Sequence, residues 1–148
     1  MNLSINEGLS MVILLDTGFI LAFRNKKDKN HISAMETMKK RIMKGEYGRA
    51  VVTDYVYDEL MTLIQNRLGN KSFMEATAKF LKSSPRISFL WISEELFLNT
   101  IKKFEKYFDQ RLSFTDCTFL SLAETITSKC YVASFDETLG KFAPEIVP

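Results

Sequence analysis

Short apolar runs alternate along this chain with longer segments in which apolar residues recur every three or four positions. Residues 12–15, 50–53, 87–92 and 130–135 are continuous apolar runs of strand length, and residues 145–147 add a short edge strand. Helical patterns fall between them. One covers residues 32–44 and is closed by Gly45 and Gly48; the next covers 55–67, with Val56, Leu60, Leu63 and Ile64 on one face and Gly69 at its end. A third covers 72–82 and stops before Pro85. A fourth starts at the cap Ser93, carries Glu94 and Glu95 in its first turn, and runs to about Phe108; a fifth covers 115–129. Strands apolar on both faces and bounded by helices predict an α/β fold, a parallel central sheet of four to five strands flanked by helices. Residues 11–148 read as one domain and residues 1–10 as a loose extension, with Met11 a second candidate start.

Composition narrows the class. With 46% hydrophobic and 26% charged residues the chain is globular rather than disordered. The most apolar stretch, residues 11–23, is broken by Asp16 and falls short of the roughly 18 residues a membrane span needs. The first ten residues hold no Lys or Arg, so the basic start of a secretory signal is missing. Cys117 and Cys130 are too few for a disulfide framework and fit buried thiols in a reducing compartment, the cytoplasm. The 20 Lys+Arg against 18 Asp+Glu give only +2, but residues 24–44 hold eight cations against Asp28 and Glu36. Arg24, Lys26 and Lys27 there are candidate contacts to a nucleic-acid backbone; a solvated loop and helix face is the plain alternative.

Four carboxylates stand where a plain fold does not need them. Asp16 ends the first strand and Asp136 follows the fourth, the edge of a parallel sheet where ligands bind. Glu59 lies within the apolar stripe of its helix, and Asp116 precedes Phe119 and Leu120 on another. Each also has a structural explanation: Asp16 and Asp136 as helix caps, Asp116 in a capping box with Ser113, Glu59 reaching to water. Together they predict a negative pocket, which a hard cation bound by oxygen ligands, Mg²⁺ or Mn²⁺, would neutralise. Such an ion activates water and holds a phosphate oxygen, so the chemistry implied is phosphodiester hydrolysis. Asp54, Asp58 and Asp109 fall outside this pattern, and His31, in the polar loop, is a weak candidate for a general base.

The segments VILLDTGFILAF, VVTDYVYDELMTLI, RLSFTDCTFLSLAE and YVASFDETLGKF, in that order, resemble the PIN-domain ribonucleases, especially the VapC-type toxins of toxin–antitoxin pairs. The resemblance spans nearly the whole chain after residue 10. It implies a Mg²⁺- or Mn²⁺-dependent endoribonuclease with Asp16, Glu59 and Asp116 as metal ligands and Asp136 as a fourth, more variable acid. Thr17 and Ser113 would support the acids by hydrogen bonds. It further implies an RNA substrate, a cognate antitoxin partner and a homodimer, with no membrane association.

Rival readings fit less well. Asp16-Thr17-Gly18 matches the aspartic-protease triplet, but that triplet belongs to an all-β chain with two such aspartates. A haloacid-dehalogenase-like phosphatase needs an acid where Gly18 stands, and a receiver-like phosphoacceptor has no use for Glu59. A non-catalytic PIN-like module binding RNA or protein is the alternative of a different class. Retention of all four acids opposes it.

Overall fold

Val12, Ile13, Leu14 and Leu15 have no exposed surface at all, and the rest of the molecule is layered around them. The structure is a computed structural model that describes residues 11–126, 129–143 and 146–147. The proposed extension, residues 1–10, lies outside the described residues. Five strands, β1 (Met11–Leu15), β2 (Arg49–Thr53), β3 (Ile87–Leu90), β4 (Lys129–Ala133) and β5 (Ile146–Val147), form one sheet in the order β3-β2-β1-β4-β5. Every pairing is parallel, with Ile13 opposite both Ala50 and Tyr131. A parallel sheet must hide both faces under its crossover helices, which is why its strands read as unbroken apolar runs.

The helices are α1 (Thr17–Arg24), α2 (His31–Glu36), α3 (Asp54–Leu63), α4 (Lys71–Ser83), α5 (Glu94–Lys106), α6 (Phe114–Thr125) and α7 (Glu137–Gly140). α2 and α3 each continue into wider π-type turns, Thr37–Ile42 and Ile64–Leu68, and a 3₁₀ turn, Phe108–Gln110, follows α5. Thr53, Asn70, Ser93 and Ser113 cap α3, α4, α5 and α6 with side-chain oxygens that accept backbone N–H bonds. Gly69 ends the third helix in the left-handed conformation (φ +56°). Gly48, at φ +74°, lets the chain enter β2 against β1: a Cβ there would lie 2.1 Å from the Met11 carbonyl oxygen.

Three elements differ from the periodicity reading. Periodicity does not show α1 and α7, which only the capping explanations of Asp16 and Asp136 imply, and Lys129 begins β4 instead of ending α6, which stops at Thr125. α1 escapes detection because its eight residues make little more than two turns, and its apolar run from Phe19 through Phe23 continues the apolar run of β1.

The strand order reverses at β1, whose neighbours β2 and β4 lead outward in opposite directions. The connections therefore part to either side of the β1–β4 boundary, leaving a crevice beyond the carboxyl ends of these strands.

Candidate active site

Asp16 leaves β1 directly into that crevice. Its backbone N–H donates to the Ala133 carbonyl at the end of β4 (3.1 Å), which ties the two strand ends together. Its carboxylate accepts from the Thr17 N–H (2.8 Å) and from the Ser134 hydroxyl (2.7 Å). The Ser134 oxygen in turn accepts the Asp136 N–H (3.0 Å). One buried hydroxyl thus fixes both strand-end acids.

Asp116 sits in the first turn of α6 within a reciprocal capping box. The Asp116 N–H donates to the Ser113 oxygen (3.0 Å), and the Ser113 N–H donates to Asp116 Oδ2 (2.9 Å). Asp136 caps α7, its Oδ1 accepting from the Thr138 and Leu139 N–H groups at 2.8 and 3.1 Å. The capping explanations for these acids are therefore realised, yet they do not compete with the pocket. Helices α1, α6 and α7 begin at one sheet edge, so the acids that cap them gather there. Oriented N–H groups at these starts offset part of the charge.

Asp16, Glu59, Asp116 and Asp136 line one cleft of about 420 Å³, whose walls also include Leu21, Leu63 and Phe135. Burial, above all, pushes the Asp16 carboxyl up to about 7; Asp116 and Glu59 add to the rise, while the bonds from Ser134 and Thr17 oppose it. Asp116 is also raised, first by burial and then by Asp136 and Glu59, against the pull of its Ser113 bonds. The mutual repulsion records the proximity of the four acids.

Among the described residues no three acid, His or Cys side chains converge tightly enough to hold one metal ion directly. A hard cation does not need such a cage. Mg²⁺ keeps several waters and binds through one or two carboxylates plus substrate phosphate, so two buried oxygen donors with raised pKa suit it.

The other candidates separate clearly. Ser113 bonds Asp116 as expected, but the Thr17 hydroxyl is buried without a hydrogen-bond partner, and only the Thr17 backbone reaches Asp16. Ser134 supplies the supporting hydroxyl instead; its signal was a polar residue inside an apolar strand end, two positions before Asp136. Arg24, Lys26 and Lys27 are not among the residues lining the cleft, and the Arg24 guanidinium lies over the Phe80 ring at 5.3 Å. The cations that do line it are Lys29, Arg67 and Arg111. His31 Nδ1 is 2.8 Å from the Ala22 carbonyl, to which it donates, so it braces α1 against α2. Asp54 Oδ1 accepts the Ile92 N–H (3.0 Å), while Asp58 and Asp109 are exposed. Cys117 and Cys130 are free, buried thiols that burial pushes up to about 11.

The PIN domain family model matches residues 13–143. A VapC ribonuclease of Archaeoglobus fulgidus is 26% identical over 121 residues, 80% of this chain and 74% of that protein. Among solved structures, the Mycobacterium tuberculosis toxin VapC20, described as cleaving the sarcin-ricin loop, superposes with a TM-score of 0.75 at 19% identity, covering 87% of this chain and 93% of that one. VapBC2 of Rickettsia felis, solved with a DNA fragment from its promoter, gives 0.64 at 13% identity over 93% and 98%. With the family's model spanning nearly all of the described chain, and a similar fold in its structural neighbours, this protein belongs to the PIN domain family.

Proposed function

We propose that this chain is a Mg²⁺- or Mn²⁺-dependent endoribonuclease and the toxin half of a toxin–antitoxin pair. The observation that carries the reading is the Asp16–Asp116 pair, two carboxylates raised by burial and by their neighbours inside one cleft. A scaffold gains nothing from such a pair, because buried like charges oppose folding until a cation or a proton relieves them. Two further carboxylates, Glu59 and Asp136, line the same cleft, and the Ser134 hydroxyl holds Asp16.

In this reading Asp16 and Asp116 are the principal ligands, with Glu59 and Asp136 adding charge or orienting metal-bound waters. When bound, the cation supplies a water of lowered pKa and a Lewis acid for one phosphate oxygen. Ser134 keeps the Asp16 carboxylate aimed and opposes the rise in proton affinity that burial causes, so less is needed from a cation to displace the proton. Water adds to phosphorus as the bond to O3′ breaks, and the proton lost by water is balanced by the one gained at O3′. The products carry a 5′-phosphate and a 3′-hydroxyl.

Support for the partner comes from relatives: the neighbours include the R. felis VapBC2 structure and FitAcB of Neisseria gonorrhoeae, which superposes with a TM-score of 0.64 at 17% identity. Among the described residues no helix is long and apolar enough to cross a membrane.

The test is cleavage of end-labelled single-stranded RNA with and without EDTA, with Asp16→Asn as the control for contaminating nuclease. The expected result is internal cuts with 5′-phosphate ends, abolished by EDTA and by the substitution. Cuts that survive both, or ends carrying a cyclic phosphate, would refute the mechanism.

A further inference from the structure

The cleft has two electrostatic layers. Its floor is acidic and buried, with Asp16 and Asp116 below a tenth exposed. Its rim is basic and exposed: Lys29 from the turn between α1 and α2, Arg67 from the π-type turns after α3, and Arg111 just ahead of α6. The ion pairs found among the described residues engage Lys40, Arg41, Lys71 and Lys103, and none engages these three cations. That is notable where five acids, counting Asp28, line the same cleft. Four of the five acids are held elsewhere. Asp16, Asp116 and Asp136 accept backbone and hydroxyl bonds at their helix starts, and Asp28 Oδ1 accepts the Asn30 N–H (2.8 Å).

Geometry gives the rim a direction. Glu59, Leu63 and Arg67 follow one another at four-residue intervals, and all three line the cleft. This side of the cleft therefore runs along α3 and into the π-type turns after it, from an acid at one end to an arginine at the other, their backbone positions at most about 12 Å apart along the axis if all eight steps had the α-helical rise of about 1.5 Å. A phosphate over the acids is two helical turns from Arg67. Arg111 flanks the acids from another element, and its left-handed backbone (φ 57°) is a conformation few arginines adopt.

We propose that Arg67, with Lys29 and Arg111, grips the phosphates that flank the one held over the acids, so that a single RNA strand lies along α3. The proposal rests on the ribonuclease reading above. A phosphodiester chain fits both layers, because each guanidinium meets a phosphate while the scissile phosphate shares the floor with a cation. An acidic peptide would face an unneutralised floor. The contacts are to the backbone and carry no sequence preference.

The test is binding of a fluorescein-labelled single-stranded RNA decamer to the full chain with Ca²⁺ in place of Mg²⁺ at a fixed concentration, the decamer being checked for cuts after each titration, across a range of salt. For single strands each lost phosphate contact lowers the slope of log K against log salt by about 0.7. Arg67→Ala is expected to lose about that much slope and to bind several-fold more weakly, with Arg67→Lys close to wild type. Lys102→Ala, exposed on α5, serves as the control. In cleavage with metal, Arg67→Ala should raise KM and leave kcat nearly unchanged. Because Arg67 is exposed and outside the described ion pairs, the variant should melt with wild type. Wild-type slope, affinity and KM in Arg67→Ala would overturn the proposal while leaving the ribonuclease reading intact. A wild-type chain that neither binds nor cuts RNA would overturn both.

Discussion

Ser134 controls how Asp16 meets a proton. Its hydroxyl donates to Asp16 Oδ2 and lowers a pKa that burial raises. Ser134→Ala should therefore push the Asp16 carboxyl above about 7, moving the acidic limb of the pH–rate profile to higher pH and costing about 10–100-fold in metal affinity or rate. An unmoved limb would show that Asp16 does not titrate in the cycle. Asp116 gives a complementary test. Asparagine keeps an oxygen to accept the Ser113 N–H but removes the charge, so metal-free Asp116→Asn should melt at or above the wild-type temperature while activity is lost. Added Mg²⁺ should stabilise it less than wild type; melting well below wild type would assign the residue to capping alone. The four acids were legible in the sequence because strand ends and a helical stripe place them without knowledge of the sheet order. Ser134, Arg67 and Arg111 were not, and Lys29 stood out only as one of the eight cations of residues 24–44. A hydroxyl or a surface cation carries no period, and these residues acquire meaning only once β4 pairs with β1 and the turns close around the crevice.

At the scale of elements, most strands could be read as unbroken apolar runs and most helices from their period and end signals. The exceptions are short. α1 is eight residues long and runs on from an apolar strand, too short to show a period of its own, and α7, four residues long, is capped by Asp136. The α5–α6 contact carries a buried polar pair that periodicity also hides. The Thr100 hydroxyl donates to the Leu96 carbonyl (2.7 Å) and lies 3.0 Å from the Ser121 hydroxyl, both residues being fully buried. Since α6 carries Asp116, this pair helps to set the height of one floor acid. Thr100→Val should cost about 1–3 kcal/mol in urea unfolding by leaving Ser121 without its partner, and Ser121→Ala added to it should recover part of the loss. Equal stability of wild type and Thr100→Val would mean the hydroxyls contribute nothing to the contact.

For the whole molecule, the raised carboxyls couple folding, pH and metal. Asp16 binds a proton more tightly folded, near pH 7, than unfolded, near 3.8, so the folded state holds more protons between those values. Metal-free stability should then fall as pH rises through that window and level off above it, with Asp16 alone worth about 4 kcal/mol at most. A cation reverses the sign. Protons compete for the same oxygens, so the rise in Tm produced by Mg²⁺ should be larger at about pH 8 than at about pH 6. A rise independent of pH would place the ion away from Asp16. The most direct test of the central claim is the anomalous diffraction of Mn²⁺ in crystals of the full chain. The account predicts a peak within bonding distance of Asp16 or Asp116, or of both, on the cleft floor beside Ser134. A Mn²⁺ peak on the far side of the sheet, or a cleft that stays free of metal while the crystallised protein cuts RNA, would contradict it.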